Sequence, residues 1–134
     1  MRMNPRETER TLLIVDDEDG VIYAIRQTLE DCGYRLLYTT DPHRALEILR
    51  AGEPIDLVII DLFMPSMDGA TLLKECRRMR GDIKVMLTSG LASGTELLRW
   101  RARGEVVVAK PWREAEFTNA VKRSLSRPNP VPPR

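Results

Sequence analysis

Apolar residues gather along the chain in four short unbroken runs, Thr11–Val15, Ile55–Ile60, Ile83–Leu87 and Val106–Ala109. Each is rich in Val, Ile and Leu, too short for a helix, and free of the polar alternation of a half-exposed strand. Runs of this kind predict strands covered on both faces, as in a parallel sheet. A fifth run, Arg35–Thr39, is more mixed and suits a sheet edge. Between the runs the apolar positions change to helical spacing. Ile22, Ile25, Leu29 and Cys32 form one stripe, with Gly33 as its stop. Asp41-Pro42 reads as an N-cap followed by proline at the first helical position, ahead of Ala45, Leu46 and Leu49. Leu72, Leu73, Cys76 and Met79 mark a third helix after Asp68-Gly69, and Leu97, Leu98 and Trp100 a weaker fourth after Ser93-Gly94. The last carries Phe117, Val121 and Leu125 on one face. Glu114 and Glu116 open it and Lys122 and Arg123 close it, as the helix dipole favours.

This alternation predicts an α/β fold: a three-layer sandwich of a five-stranded parallel sheet and five helices. The domain is expected over residues 10–125. Residues 1–9 are expected to be a flexible N-terminal segment, and 126–134 a proline-rich tail or linker.

Composition narrows the function classes. With 134 residues and 43% apolar content, the chain can bury a core without staples. Lys and Arg number 21 against 20 Asp and Glu, a net charge of +1, which argues against direct nucleic-acid binding. The two cysteines, Cys32 and Cys76, lack metal spacing and are most simply core residues in a reducing compartment. The sequence shows neither a membrane span nor an apolar signal core, so a cytoplasmic location is expected.

In such folds the site lies beyond the C-terminal ends of the strands. Asp16-Asp17-Glu18-Asp19 stand there after the first strand, Asp61 after the third, Thr88-Ser89 after the fourth and Lys110-Pro111 after the fifth. Like charges about 4 Å apart cost on the order of 4 kcal/mol at an effective dielectric near 20. Either one carboxylate stays protonated or a hard divalent ion such as Mg²⁺ sits among them. Asp61, ending a buried strand, can act as a nucleophile towards phosphorus, and a carboxylate near its ordinary pKa of about 4 is ionised without a base. Lys110 can neutralise charge on a transferring phosphoryl group, and Thr88 can donate a hydrogen bond to it.

The chain resembles the receiver domain of two-component response regulators. The resemblance rests on Asp16-Asp17 after Leu-Leu-Ile-Val, on Asp61, on Met64-Pro65 and Met67-Asp68-Gly69, on Thr88, and on Lys110-Pro111-Trp112, and covers about Thr11 to Leu125. It implies a flavodoxin-like strand order 2-1-3-4-5. It makes Asp61 the phosphate acceptor, Asp17, Asp61 and the Phe63 carbonyl the Mg²⁺ ligands with Asp16 acting through water, Lys110 the phosphate-pairing cation and Thr88 the switch hydroxyl. It further implies a sensor histidine kinase or phosphotransfer protein as donor and a downstream effector or attached output domain as reader. A receiver is a signalling domain, not a turnover enzyme. Two positions depart from the pattern. Val107 stands where receivers usually carry an aromatic switch residue, and Phe63 where a polar side chain is often found.

Rival readings are weaker. An FMN protein needs a hydroxyl-rich phosphate cradle where this chain has Asp16–Asp19, and an aspartyl phosphatase needs a carboxylate where it has Phe63. Neither GxGxxG nor GxxxxGK occurs. The serious alternative is a phosphorylation-independent, receiver-like adaptor, suggested by Val107. Arg99, Arg101, Arg103 and Arg113 with Trp100 and Trp112 mark either a partner surface or a solvated basic face. His43, at a helix start, is not expected to carry phosphate.

Overall fold

A computed structural model describes residues 10–90 and 94–128; residues 1–9, 91–93 and most of the proline-rich segment lie outside the described residues. Five strands alternate with five helices: β1 (Thr11–Val15), α1 (Asp19–Glu30), β2 (Arg35–Thr39), α2 (Pro42–Arg50), β3 (Leu57–Asp61), α3 (Gly69–Met79), β4 (Lys84–Ser89), α4 (Gly94–Ala102), β5 (Val106–Ala109) and α5 (Glu114–Ser126). All pairings are parallel and the order is β2-β1-β3-β4-β5. The expected architecture and strand order are both present.

The unbroken apolar runs are explained by how the strands divide their side chains. Leu13, Val15, Val58, Ile60, Val85, Leu87 and Val107 face one side, where Ala45, Leu46 and Leu49 of α2 and Leu72, Leu73 and Cys76 of α3 cover them. Leu12, Ile14, Leu57, Ile59, Met86 and Val108 face the other, against Ile22, Ile25 and Leu29 of α1 and Phe117, Ala120, Val121 and Leu125 of α5. Successive strand residues point to opposite faces, so a sheet buried on both must be apolar at every position. Phe117 is fully buried and stacks on Trp112 with ring centroids 4.6 Å apart. β2, at the edge, is only partly buried.

Caps follow the sequence. The Asp41 carboxylate accepts from the His43 amide and the Asp68 carboxylate from the Thr71 amide, each satisfying an N–H that the helix leaves open. Glu116 reaches back to the Arg113 amide at the start of α5.

Several boundaries differ from the expected ones. β3 starts at Leu57 because Asp56 makes a clamp with Thr11. Its carboxylate accepts from the Thr11 amide at 2.7 Å while its own amide donates to the Thr11 carbonyl at 2.8 Å. Ile83 belongs to a turn, its amide donating to the Arg80 carbonyl, so β4 starts at Lys84. Ser126 closes α5, its hydroxyl bonded to the Lys122 carbonyl. Cys32 lies just past α1, half-buried, with its thiol directed at the Thr28 carbonyl. α4 buries no residue completely: Leu97 and Trp100 lean on the first core face, while Leu98 is 66% exposed.

Gly69 ties the fold to the strand ends. Its amide donates to the Leu62 carbonyl at 2.9 Å, and a Cβ there would stand 2.5 Å from the Asp61 carbonyl oxygen and from Leu62 Cα. Both obstacles are backbone, which cannot rotate away. Gly69→Ala is expected to lose about 1–3 kcal/mol of stability, as overpacking does. Urea denaturation would show it as a lower midpoint at unchanged slope.

Candidate functional site

The parallel sheet delivers four charged side chains to one rim. Asp16 follows β1, Asp61 is the last residue of β3 and Lys110 follows β5. The Lys110 ammonium lies 3.0 Å from Asp16 Oδ2 and 3.4 Å from Asp61 Oδ2, bridging the two carboxylates. Carboxylate oxygens of Asp16, Asp17 and Asp61 all lie within 4.8 Å of one another, with Asp16 and Asp61 buried and Asp17 exposed.

Backbone amides orient the carboxylates. The Glu18 amide donates to Asp16 Oδ1 at 2.9 Å and the Phe63 amide to Asp61 Oδ1 at 3.3 Å. Lys110 is held from both ends of its residue. Its amide donates to the Ser89 carbonyl at 2.8 Å, and its stem passes Gly90, where a Cβ would come within 3.3 Å of Lys110 Cδ. Thr88 is the register partner of Asp61 on the neighbouring strand and is buried; its carbonyl accepts from the Leu62 amide. The Phe63 amide meets Asp61, and the residue is 39% exposed.

The six residues singled out from the sequence, Asp16, Asp17, Asp61, Lys110, Thr88 and Phe63, lie together on one rim. Sequence reasoning missed the close packing at Gly69, which entered there only as part of Met67-Asp68-Gly69 ahead of a helix. It also missed the Glu18 amide. A glycine directly after an aspartate, eight residues past Asp61, was the available signal for the first.

The pKa of Asp61 lies above the ordinary carboxylate value, although the group is still mostly ionised at neutral pH. Burial, and then the Asp16 charge, push its pKa up to about 6; Lys110 and the Phe63 amide pull it down without cancelling the rise. Burial works against the Lys110 ammonium too, but the Asp16 hydrogen bond and the charges of Asp16 and Asp61 outweigh it, leaving its pKa above the ordinary lysine value. Fully ionised, three carboxylates face one ammonium, a net of two negative charges in a partly buried site. An all-oxygen donor set with that excess fits a hard divalent ion such as Mg²⁺.

The raised pKa has a stability consequence. Between pH 3.8 and about 6 folded Asp61 holds a proton that the unfolded chain has released, so stability falls as pH rises through that window and levels off above it. Asp61→Asn escapes the penalty. Without divalent ions it is expected to gain on wild type from pH 4 to pH 7 by roughly 2–3 kcal/mol, at about 1.4 kcal/mol per pKa unit. Paired thermal melts across that range measure the gain, and Mg²⁺ at pH 7 should narrow it.

Comparison with known proteins bears on the family and the fold. The family model for the response regulator receiver domain matches residues 12–122. The sensor kinase CckA of Brucella abortus (strain 2308) is 34% identical over 119 residues, covering 87% of this chain and 13% of that protein. The alkaline phosphatase synthesis transcriptional regulatory protein PhoP of Bacillus subtilis (strain 168) is 27% identical over 119 residues. That match covers 88% of this chain but only 49% of PhoP, so the chain spans about half the length of such regulators. Among solved structures, the signal receiver domain of an HD domain-containing protein from Pseudomonas fluorescens Pf-5 superposes with a TM-score of 0.76 at 28% identity, covering 87% of this chain and 94% of that one. A CheY-like receiver domain protein from Methanospirillum hungatei JF-1 gives 0.76 at 25% identity over 87% and 93%. Spanning nearly all of the described residues and joined to the rim of carboxylates and lysine, the match places this chain in the response regulator receiver family.

Proposed function

We propose that this receiver accepts a phosphoryl group on Asp61 from a phosphohistidine of a sensor histidine kinase or phosphotransfer protein, and so switches a partner-binding surface. The observation that carries the reading is the Lys110 ammonium, 3.0 Å from Asp16 and 3.4 Å from Asp61, at the mouth of a buried carboxylate cluster. An Asp61 oxygen attacks phosphorus; the new O–P bond forms as the P–N bond of the donor breaks. The departing ring nitrogen keeps the electron pair and takes a proton from solvent.

Asp16, Asp17 and Asp61 with the Phe63 carbonyl are the groups that would hold Mg²⁺, which when bound supplies charge neutralisation for the phosphoryl oxygens in transit. Lys110, already beside the nucleophile, pairs with the transferred group. Its ammonium exchanges a carboxylate partner for phosphoryl oxygens. Thr88, level with Asp61 on β4, donates its hydroxyl to the same oxygens. Phe63, two residues past the acceptor, offers no polar side chain to position a water, which slows hydrolysis of the acyl phosphate.

Phosphorylation adds roughly two negative charges and three acceptor oxygens. A reader preferring the modified state tenfold needs only about 1.4 kcal/mol of differential binding. Matches in a sensor kinase and in a transcriptional regulator indicate the two settings in which such a reader could lie on the same chain. The domain is modified once per signal rather than turning over substrate.

Incubation with Mg²⁺ and a small acyl phosphate is expected to yield a base-labile phosphoprotein from wild type and none from Asp61→Asn. Labelling that survives the substitution, or is absent from both, contradicts the assignment. Phe63→Asn should lose the label severalfold faster than wild type, followed by intact-mass decay.

A second reading is favoured by Val107, which is buried in the core face under α3 and α4 and has no ring to reorient. If this chain is a phosphorylation-independent adaptor, a phosphoryl mimic will shift amide resonances at the rim only. Shifts reaching α4, β5 and α5 support the switch.

A further inference from the structure

We infer that the end of the fold opposite the carboxylate rim is a binding site for a small phosphorylated anion carrying two to three negative charges. A cleft of about 520 Å³ opens there, beside the N-terminal ends of β4 and β5. That volume is in the range of small-molecule sites. Gly81 and Gly104 contribute no side chains to its wall, and Gly104 adopts a left-handed turn (φ 89°) directly after α4.

Among the described residues six cations line the cleft, Lys74, Arg77, Arg78, Lys84, Arg103 and Arg127, against a single carboxylate, Glu105. Arg77 is committed: it grips Glu105 through two hydrogen bonds of 2.6 and 2.8 Å, fixing α3 to the start of β5. Arg78 pairs with Glu75 at 3.6 Å. Lys84 donates to the Leu125 carbonyl at 2.7 Å, a contact that leaves its charge uncompensated. Lys74, Arg103 and Arg127 have no carboxylate partner among the described residues, although Arg103 also lies over the Trp100 ring.

A simpler cause for basic residues here is helix polarity, because α3, α4 and α5 all end at this side and carbonyl ends attract cations. The magnitudes decide against it as the whole explanation. Two carboxylates offset two of the six cations. Three helix ends, at about half a negative charge each, offset roughly 1.5 more. About two to three positive charges remain, concentrated in one concave site. Arginine forks match phosphate oxygens in pairs, which favours phosphate over a simple halide. The surplus is hidden in the overall charge of +1 because the rim at the other end is acidic.

The test is an amide-resolved titration of the Mg²⁺-free protein with sodium pyrophosphate, orthophosphate and chloride at constant ionic strength. Pyrophosphate is expected to give saturating shifts at Gly81, Gly104 and Ser124, with affinity at least tenfold above orthophosphate. Lys74→Glu combined with Arg127→Glu, both exposed positions, should weaken it tenfold or more, while Asp61→Asn binds like wild type. A nucleoside diphosphate binding more tightly than pyrophosphate assigns the site to nucleotides, and equal binding to inorganic or simple phosphorylated anions; both support it. Shifts that chloride reproduces, binding undiminished in the double variant, or affinity for single-stranded oligonucleotides that grows with length beyond that of pyrophosphate would each overturn it.

Discussion

The structure depends on one unbalanced electrostatic arrangement: Asp16 and Asp61, both buried, share a single ammonium. Lys110 satisfies each of them in part, at 3.0 and 3.4 Å, and Asp17 adds a third carboxylate at the exposed side. A site of this kind costs folding energy when it holds only protons and one lysine. The same deficit makes it receptive to a hard cation, and it sets the Asp61 carboxylate beside the Lys110 ammonium, the arrangement on which the proposed phosphoryl transfer rests. Stability and chemistry pull in opposite directions at Asp61, and its raised pKa is where that opposition is visible.

What forces the arrangement is the topology. With all strands parallel, the ends of β1, β3, β4 and β5 must reach the same rim, so residues far apart in sequence meet without any local motif. The two core faces, anchored by Phe117 on one side and Leu72 on the other, hold the strands in register and place Thr88 level with Asp61. Gly69 allows the chain after β3 to close against the backbone of Asp61 and Leu62.

Much of this was legible in the residues. The runs Thr11–Val15, Arg35–Thr39 and Val106–Ala109 coincide with β1, β2 and β5. β3 and β4 were misplaced by one or two residues, since Ile55 and Ile83 are apolar but lie outside the ladder, displaced by the Asp56–Thr11 clamp and the Arg80–Ile83 turn. Asp16, Asp61 and Lys110 could be found from their places after strands. The raised pKa of Asp61 could not, because it is set by burial and by a neighbour 45 residues away in the chain. The basic cleft was invisible for a related reason: Lys74, Lys84, Arg103 and Arg127 belong to separate elements and cancel against the acidic rim in any whole-chain count. Arg99, Arg101 and Arg103 drew notice as a run, yet they have separate surroundings. Arg101 bonds the Val107 carbonyl and Arg103 lies over Trp100.

The most direct measurement of the central claim is the titration of the Asp61 side-chain carboxyl carbon by NMR, with and without Mg²⁺. A midpoint near pH 6 in metal-free protein, displaced downward by more than one unit when Mg²⁺ is added, is the predicted result. An ordinary carboxylate midpoint near pH 4 that Mg²⁺ leaves in place would contradict the account.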